Sequence, residues 1–173
     1  ISGGSGHLFD NVEVYGDGKG SGIVISGTSV SIYRDLCAHD IDYDETGATD
    51  DRVQGVWSNA NTDCIFNNPR AYTLGGNAGG SATTRWSRGI TVSGCVRCQF
   101  DNASAHDIDQ GMDFTGSDGN IDCSVNGGSF DDCYSVGLKF SSSSVRCKAF
   151  NVIARRCGRA GFIISGPSVS GLT

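Results

Sequence analysis

Gly89-Ile-Thr-Val-Ser-Gly94 is one of six copies of the phrase that decides how this chain is read. The others are Gly22-Ile-Val-Ile-Ser-Gly27, Gly55-Val-Trp-Ser-Asn59, Gly111-Met-Asp-Phe-Thr-Gly116, Gly137-Leu-Lys-Phe-Ser-Ser142 and Gly161-Phe-Ile-Ile-Ser-Gly166. Each runs glycine, apolar, any, apolar; Ser58 breaks the rule in the second copy. The copies recur at intervals of 33, 34, 22, 26 and 24 residues. After each comes a second short phrase, at Val30-Ser-Ile32, Thr62-Asp-Cys64, Val96-Arg-Cys98, Ile121-Asp-Cys123 and Val145-Arg-Cys147. A third apolar anchor follows at Ile41, Leu74, Ile108, Cys133 and Cys157. Alternation over a few residues, bounded by Gly, Ser, Asn and Asp, reads as short strands between turns.

Three short strands per repeat cannot bury their apolar positions alone, but stacked on like units they share one continuous core. The expectation is an all-β chain forming a right-handed, single-stranded parallel β-helix of about seven coils with three strands per coil. A β-sandwich would not keep one residue class in one slot through successive repeats. Helical spacing survives only at Ala149, Val152, Ile153 and Cys157, where Gly158 and Gly161 oppose it. Residues 1–173 read as one segment. The chain opens on Ile1-Ser-Gly and ends around Ile164-Ser-Gly, the same point of a coil, with no polar cap, initiator Met or leader, so it reads as the middle of a longer β-helix.

Composition agrees. Glycine supplies 26 residues and proline 2, and 17 of the 19 acids are Asp, a turn former, where Glu would favour helix. A net charge of −6 with no basic stripe argues against a nucleic-acid partner. The longest apolar runs, such as Phe162-Ile163-Ile164, are far too short to span a bilayer. Of the eight cysteines, Cys64, Cys98, Cys123 and Cys147 are expected in one inward slot headed by Ile32, and Cys133 and Cys157 in another with Ile41, Leu74 and Ile108. Such cysteines act as small hydrophobes. A vertical disulfide, and zinc at Cys95 and Cys98, are the alternatives.

Two repeats are lengthened at the same corner by insertions, 42–54 and 75–88. Loops grafted on one face of a solenoid are its usual binding surface. Tyr43, Arg85, Trp86 and Arg88 belong to these insertions, and Trp57 is expected to point outward beside them; rings stack on sugars and arginines bind hydroxyls or acid groups. Asp42, Asp44, Glu45, Asp50 and Asp51 crowd the first insertion, a set of hard oxygens suited to calcium. Ala-His-Asp-Ile-Asp occurs twice, from Ala38 and from Ala105. In register, His39, Tyr72, His106, Asp131 and Arg155 form one column and Asp40, Thr73, Asp107, Asp132 and Arg156 the next. Asp40, His106, Asp107, Asp109 and Asp132 are the catalytic candidates and Tyr72 a ring for substrate stacking, because carboxylates one or two coils apart match the separations of acid–base pairs. Turn capping by the same Asp residues is the competing role.

The repeat resembles the right-handed β-helices of the pectin-lyase-like superfamily, which includes polysaccharide lyases, epimerases and phage tailspikes. His39-Asp40 and His106-Asp107 are similar to the His-Asp pairs of alginate epimerases, but the Asp-Pro before that pair is replaced by Cys37-Ala38 and Ser104-Ala105. The resemblance, nearest to a tailspike or tail-fibre segment, implies recognition of bacterial surface polysaccharide, with or without its cleavage, by a homotrimer on the virion tail or outside the cell. A secreted lyase or epimerase and a non-catalytic spacer are the alternatives. No cofactor is required by the resemblance, with calcium optional.

Overall fold

The computed structural model describes residues 1–16, 20–41, 52–75, 86–141 and 144–165. Among these there is no helix. The strands are β1 (Leu8–Asp10), β2 (Glu13–Gly16), β3 (Ser21–Ser26), β4 (Ile32–Arg34), β5 (Cys37–Ile41), β6 (Arg52–Asn59) and β7 (Ile65–Asn67). They continue with β8 (Arg70–Leu74), β9 (Trp86–Ser93), β10 (Gln99–Thr115), β11 (Ser124–Ser141), β12 (Lys148–Phe150), β13 (Ile153–Arg155) and β14 (Ala160–Ser165). The chain is therefore all-β, and the segment with helical spacing holds β12 and β13 instead.

Every strand pairing is parallel, and the pairs form three ladders. The first joins β1, β4, β7, the start of β10, the start of β11, and β12. The second joins β2, β5, β8, the middle of β10 and β11, and β13. The third joins β3, β6, β9, the ends of β10 and β11, and β14. In it Ile23, Val56, Ile90, Met112, Leu138 and Phe162 are successive register partners, so the glycine phrase carries the register of this ladder.

The glycines of that phrase are dictated by close approach. A Cβ on Gly89 would stand 2.8 Å from the Ala105 Cβ and 2.6 Å from the Gly111 carbonyl oxygen; one on Gly55 would stand 2.7 Å from both the Ala71 Cβ and the Gly89 oxygen. An alanine column on the second ladder thus faces a glycine column on the third. The bends between ladders use left-handed backbone. Asn11, Asp35, Asn68, Asn102 and Asn151 take it at one corner, and Asp40, Thr73, Asp107, Asp132 and Arg156 at the next. Asn and Asp tolerate this conformation because their short polar side chains hydrogen-bond locally, which accounts for the excess of Asp over Glu.

Inside, the rings of Phe9, Tyr33, Phe66 and Phe100 stack at centroid spacings of 5.7, 4.9 and 4.7 Å. Six cysteines, among them Cys64, Cys98, Cys123 and Cys147, belong to the buried core, Cys157 packs against it, and all eight thiols are free. The thiols donate weakly to main-chain carbonyls, as from Cys98 Sγ to Asn61 O at 3.4 Å and Cys123 Sγ to Cys95 O at 3.3 Å. One register differs from expectation. Ile32 pairs with Ile65, so Ser31, not Ile32, heads the cysteine column, and Val30 occupies the left-handed corner shared with Asp63, Arg97, Asp122 and Arg146. Among the described residues no helix is long and apolar enough to cross a membrane.

Candidate functional site

The outer face of the second ladder carries an open stack of rings. Residues alternate in and out along a strand; Ala38, Ala71 and Ala105 point into the core, so His39, Tyr72 and His106 point out. Tyr15, His39, Tyr72 and His106 are register partners. Their ring centroids lie 5.3, 4.7 and 4.9 Å apart, with interplanar angles of 14°, 9° and 2°. The expected column is therefore present, and it is the one that faces outward. The Asp40 column sits at the adjoining left-handed corner. From there Asp40 Oδ2 meets His39 Nδ1 at 2.7 Å and Asp107 Oδ2 meets His106 Nδ1 at 2.8 Å. His39 Nε2 is also 3.0 Å from Glu13 Oε1. The two acids, Asp40 first, hold the His39 imidazole above its ordinary pKa.

Asp107 and Asp132 border a shallow groove with Tyr134 and Arg156. Arg156 forks onto both Asp132 oxygens and holds that carboxyl below the usual range. A general acid needs the opposite shift.

A second cluster lies one corner further on, against the outer face of the third ladder, where Trp57, Thr91, Asp113 and Lys139 are register partners. The Asp113 side chain is wholly buried, with Arg88 Nε at 3.2 Å and Lys139 Nζ at 3.9 Å. Ser141 Oγ donates to Asp113 Oδ1 at 3.0 Å. Asp109 stands at the corner itself, half-buried, its backbone N–H donating to Ser87 Oγ at 3.0 Å. Burial pushes the Asp109 carboxyl up, opposed by the charges of Arg88 and Lys139. The same two cations thus act on both carboxylates. Trp57 Nε1, Gln54 Oε1, Thr91 Oγ1 and Gln110 Oε1 are buried polar atoms on this wall with no hydrogen-bond partner among the described residues.

The structure thus gathers the sequence candidates into two groups. Asp40, Tyr72, His106, Asp107 and Asp132 line the second ladder and its corner; Asp109 and Arg88 come together at the third, whose outer face also carries Trp57. Trp86 opens β9 as the register partner of Arg52. Tyr43 and Arg85, and the calcium candidates Asp42, Asp44, Glu45, Asp50 and Asp51, lie outside the described residues. Sequence reasoning missed Asp113, Lys139, Gln54 and Gln110. The one signal for Asp113 was a carboxylate in the outward slot of a phrase that holds Val24, Trp57, Thr91, Lys139 and Ile163 in other copies. No family model matches this chain, and no curated protein or solved structure is significantly similar to it.

Proposed function

We propose that this chain is a stretch of right-handed parallel β-helix, of tailspike type, that binds an acidic surface polysaccharide across the corner between its second and third ladders and hydrolyses it there. The observation that carries the reading is the pair of carboxylates sharing Arg88 and Lys139. Burial divides their roles: the half-buried carboxyl can reach a ligand, and the wholly buried one can only hold the cations. Asp109 is the reachable member. Its raised pKa keeps a proton available for the leaving glycosidic oxygen as the anomeric C–O bond breaks; water then adds its oxygen to the anomeric carbon and returns a proton to the Asp109 carboxylate. Asp113 is too deeply buried to touch substrate; it is a positioning residue that holds Arg88 and Lys139, which pair with the acid groups of the glycan. Trp57, half-buried on the same outer face, offers a ring for stacking on a sugar face. With a proton on Asp109, two cations face one carboxylate here, which favours an anionic over a neutral ligand.

The test is size-exclusion chromatography of acidic and neutral bacterial polysaccharides before and after incubation with the full-length protein. Acidic chains are expected to shorten without gaining the ultraviolet absorbance of unsaturated sugar ends. Asp109→Asn is expected to lower the rate about 10²–10⁴-fold while binding persists. The wild-type rate should hold above the ordinary carboxylate range and fall as pH rises through the raised Asp109 pKa, because the acid must be protonated. Unsaturated ends, or full activity of Asp109→Asn, would overturn the assignment; absence of both cleavage and binding across the panel would overturn the function.

A further inference from the structure

Away from that corner, Glu13, Cys37 and His39 bring a carboxylate, a thiol and an imidazole together on the outer face of the second ladder, and we infer that they bind a divalent transition-metal ion, zinc(II) by chemistry. Their ligand atoms all lie within 4.8 Å of one another. A tetrahedral zinc with bonds of about 2.0–2.3 Å holds its ligands about 3.3–3.8 Å apart. His39 Nε2 and Glu13 Oε1 stand at 3.0 Å, and Glu13 is exposed, so its side chain has room to adjust to a metal ion. Mixed nitrogen, sulfur and oxygen donors select zinc or cobalt over calcium or magnesium.

The surroundings are those of a metal-bound histidine. Asp40 Oδ2, set by the left-handed corner, accepts from His39 Nδ1 at 2.7 Å, which leaves Nε2 as the nitrogen facing Glu13, where a metal ion would take the place of the proton between them. Tyr15 and Tyr72 sandwich the ring and fix its plane. Cys37 is also distinct among the eight thiols: it is buried, but it is not part of the packed apolar cluster that the other seven form or touch. The second His-Asp pair supplies a comparison within the molecule. His106 and Asp107 repeat the hydrogen bond, but Ser104 stands where Cys37 would be, and the register partner of Ser104 in the preceding repeat is Arg70, where that of Cys37 is Glu13. Among the described residues, only the first copy has a ligand set.

Cobalt(II) titration of the reduced full-length protein reads this directly. One equivalent is expected to bind, giving a thiolate-to-cobalt charge-transfer band and tetrahedral visible bands that zinc(II) abolishes. Cys37→Ser should remove the charge-transfer band, and Asp40→Asn should weaken binding about 10–100-fold. His106→Ala should leave the spectrum unchanged. Because Cys37 is buried and its variant can misfold, His39→Gln and Glu13→Gln provide an independent arm, each expected to weaken binding at least as much as Asp40→Asn. A wild-type protein without a thiolate band at any cobalt concentration would overturn the site. So would a band that survives Cys37→Ser, or unchanged affinity in His39→Gln.

Discussion

Two columns of rings run along this molecule with nearly equal spacing, one inside and one outside. Phe66 sits between Tyr33 and Phe100 at 4.9 and 4.7 Å; Tyr72 sits between His39 and His106 at 4.7 and 4.9 Å. The spacing is common because parallel strands stand about 4.8 Å apart, and a ring repeated at one register position can do little but stack. The rings differ in what lies at their edges. Phe66 is wholly buried and touches apolar neighbours, whereas the outer rings meet Glu13, Asp40 and Asp107 through polar atoms. Stacking alone is therefore a consequence of the architecture, and function has to be argued from the polar edges.

If that division is right, the inner column carries the stability. Phe66→Ala is expected to lose about 3–5 kcal/mol, since it opens a cavity between two fixed rings. Tyr72→Ala, half-exposed, should lose about 1 kcal/mol, the scale of a ring-pair interaction beyond area. Urea unfolding of both variants checks this, and equal losses would break the comparison. The same contrast can be sharpened with the smallest possible side chain. Gly89→Ala adds one methyl between Ala105 and the Gly111 carbonyl, and overpacking of this kind costs about 1–3 kcal/mol. Ser104→Ala, on the outer face of the same repeat, removes an atom from a half-exposed site and should fall within about 0.5 kcal/mol of the parent. Near-neutral behaviour of Gly89→Ala would mean that the ladders part easily.

What was legible in the sequence follows the same line between inside and outside. Inward slots alternate strictly, so the glycine phrase gave the third ladder residue by residue, and Ile41 with Leu74 and Ile108 with Cys133 are register partners as expected. The slip of one residue at Val30 and Ile32 has a local cause. In the first repeat a serine, Ser31, holds the slot that later repeats give to cysteine, so matching apolar to apolar pulled the alignment forward by one. The His39 column was legible as a column, but its outward direction was not, because that depends on which neighbours are alanine. Asp113 was missed for a deeper reason. Its slot alternates outward, and a sequence pattern does not tell which outward positions are covered by other parts of the chain. Burial of an outer polar residue is a tertiary fact.

The smallest effect belongs to the most regular outer feature, the corner shared by Asp63, Arg97, Asp122 and Arg146. Arg97 forks onto Asp63 with contacts of 2.6 and 2.7 Å, and Arg146 onto Asp122 with contacts of 2.7 and 2.6 Å. The arginines hold both carboxyls below their usual range. A carboxyl lowered on folding adds stability above its unfolded pKa of about 3.9 and loses it as pH falls through the folded value. These groups are open to solvent, so the gain is weak and screened, as it is for most exposed pairs. Arg146→Gln should therefore cost little at neutral pH and low salt. That small cost should vanish in about 1 M salt, where the Debye length is about 3 Å, and again below the carboxylate range. A loss that persisted through both conditions would mean that Arg146 acts by packing its stem on the ladder. In that case even the outermost column would owe its stability to burial, and the contrast between the two faces would be one of degree.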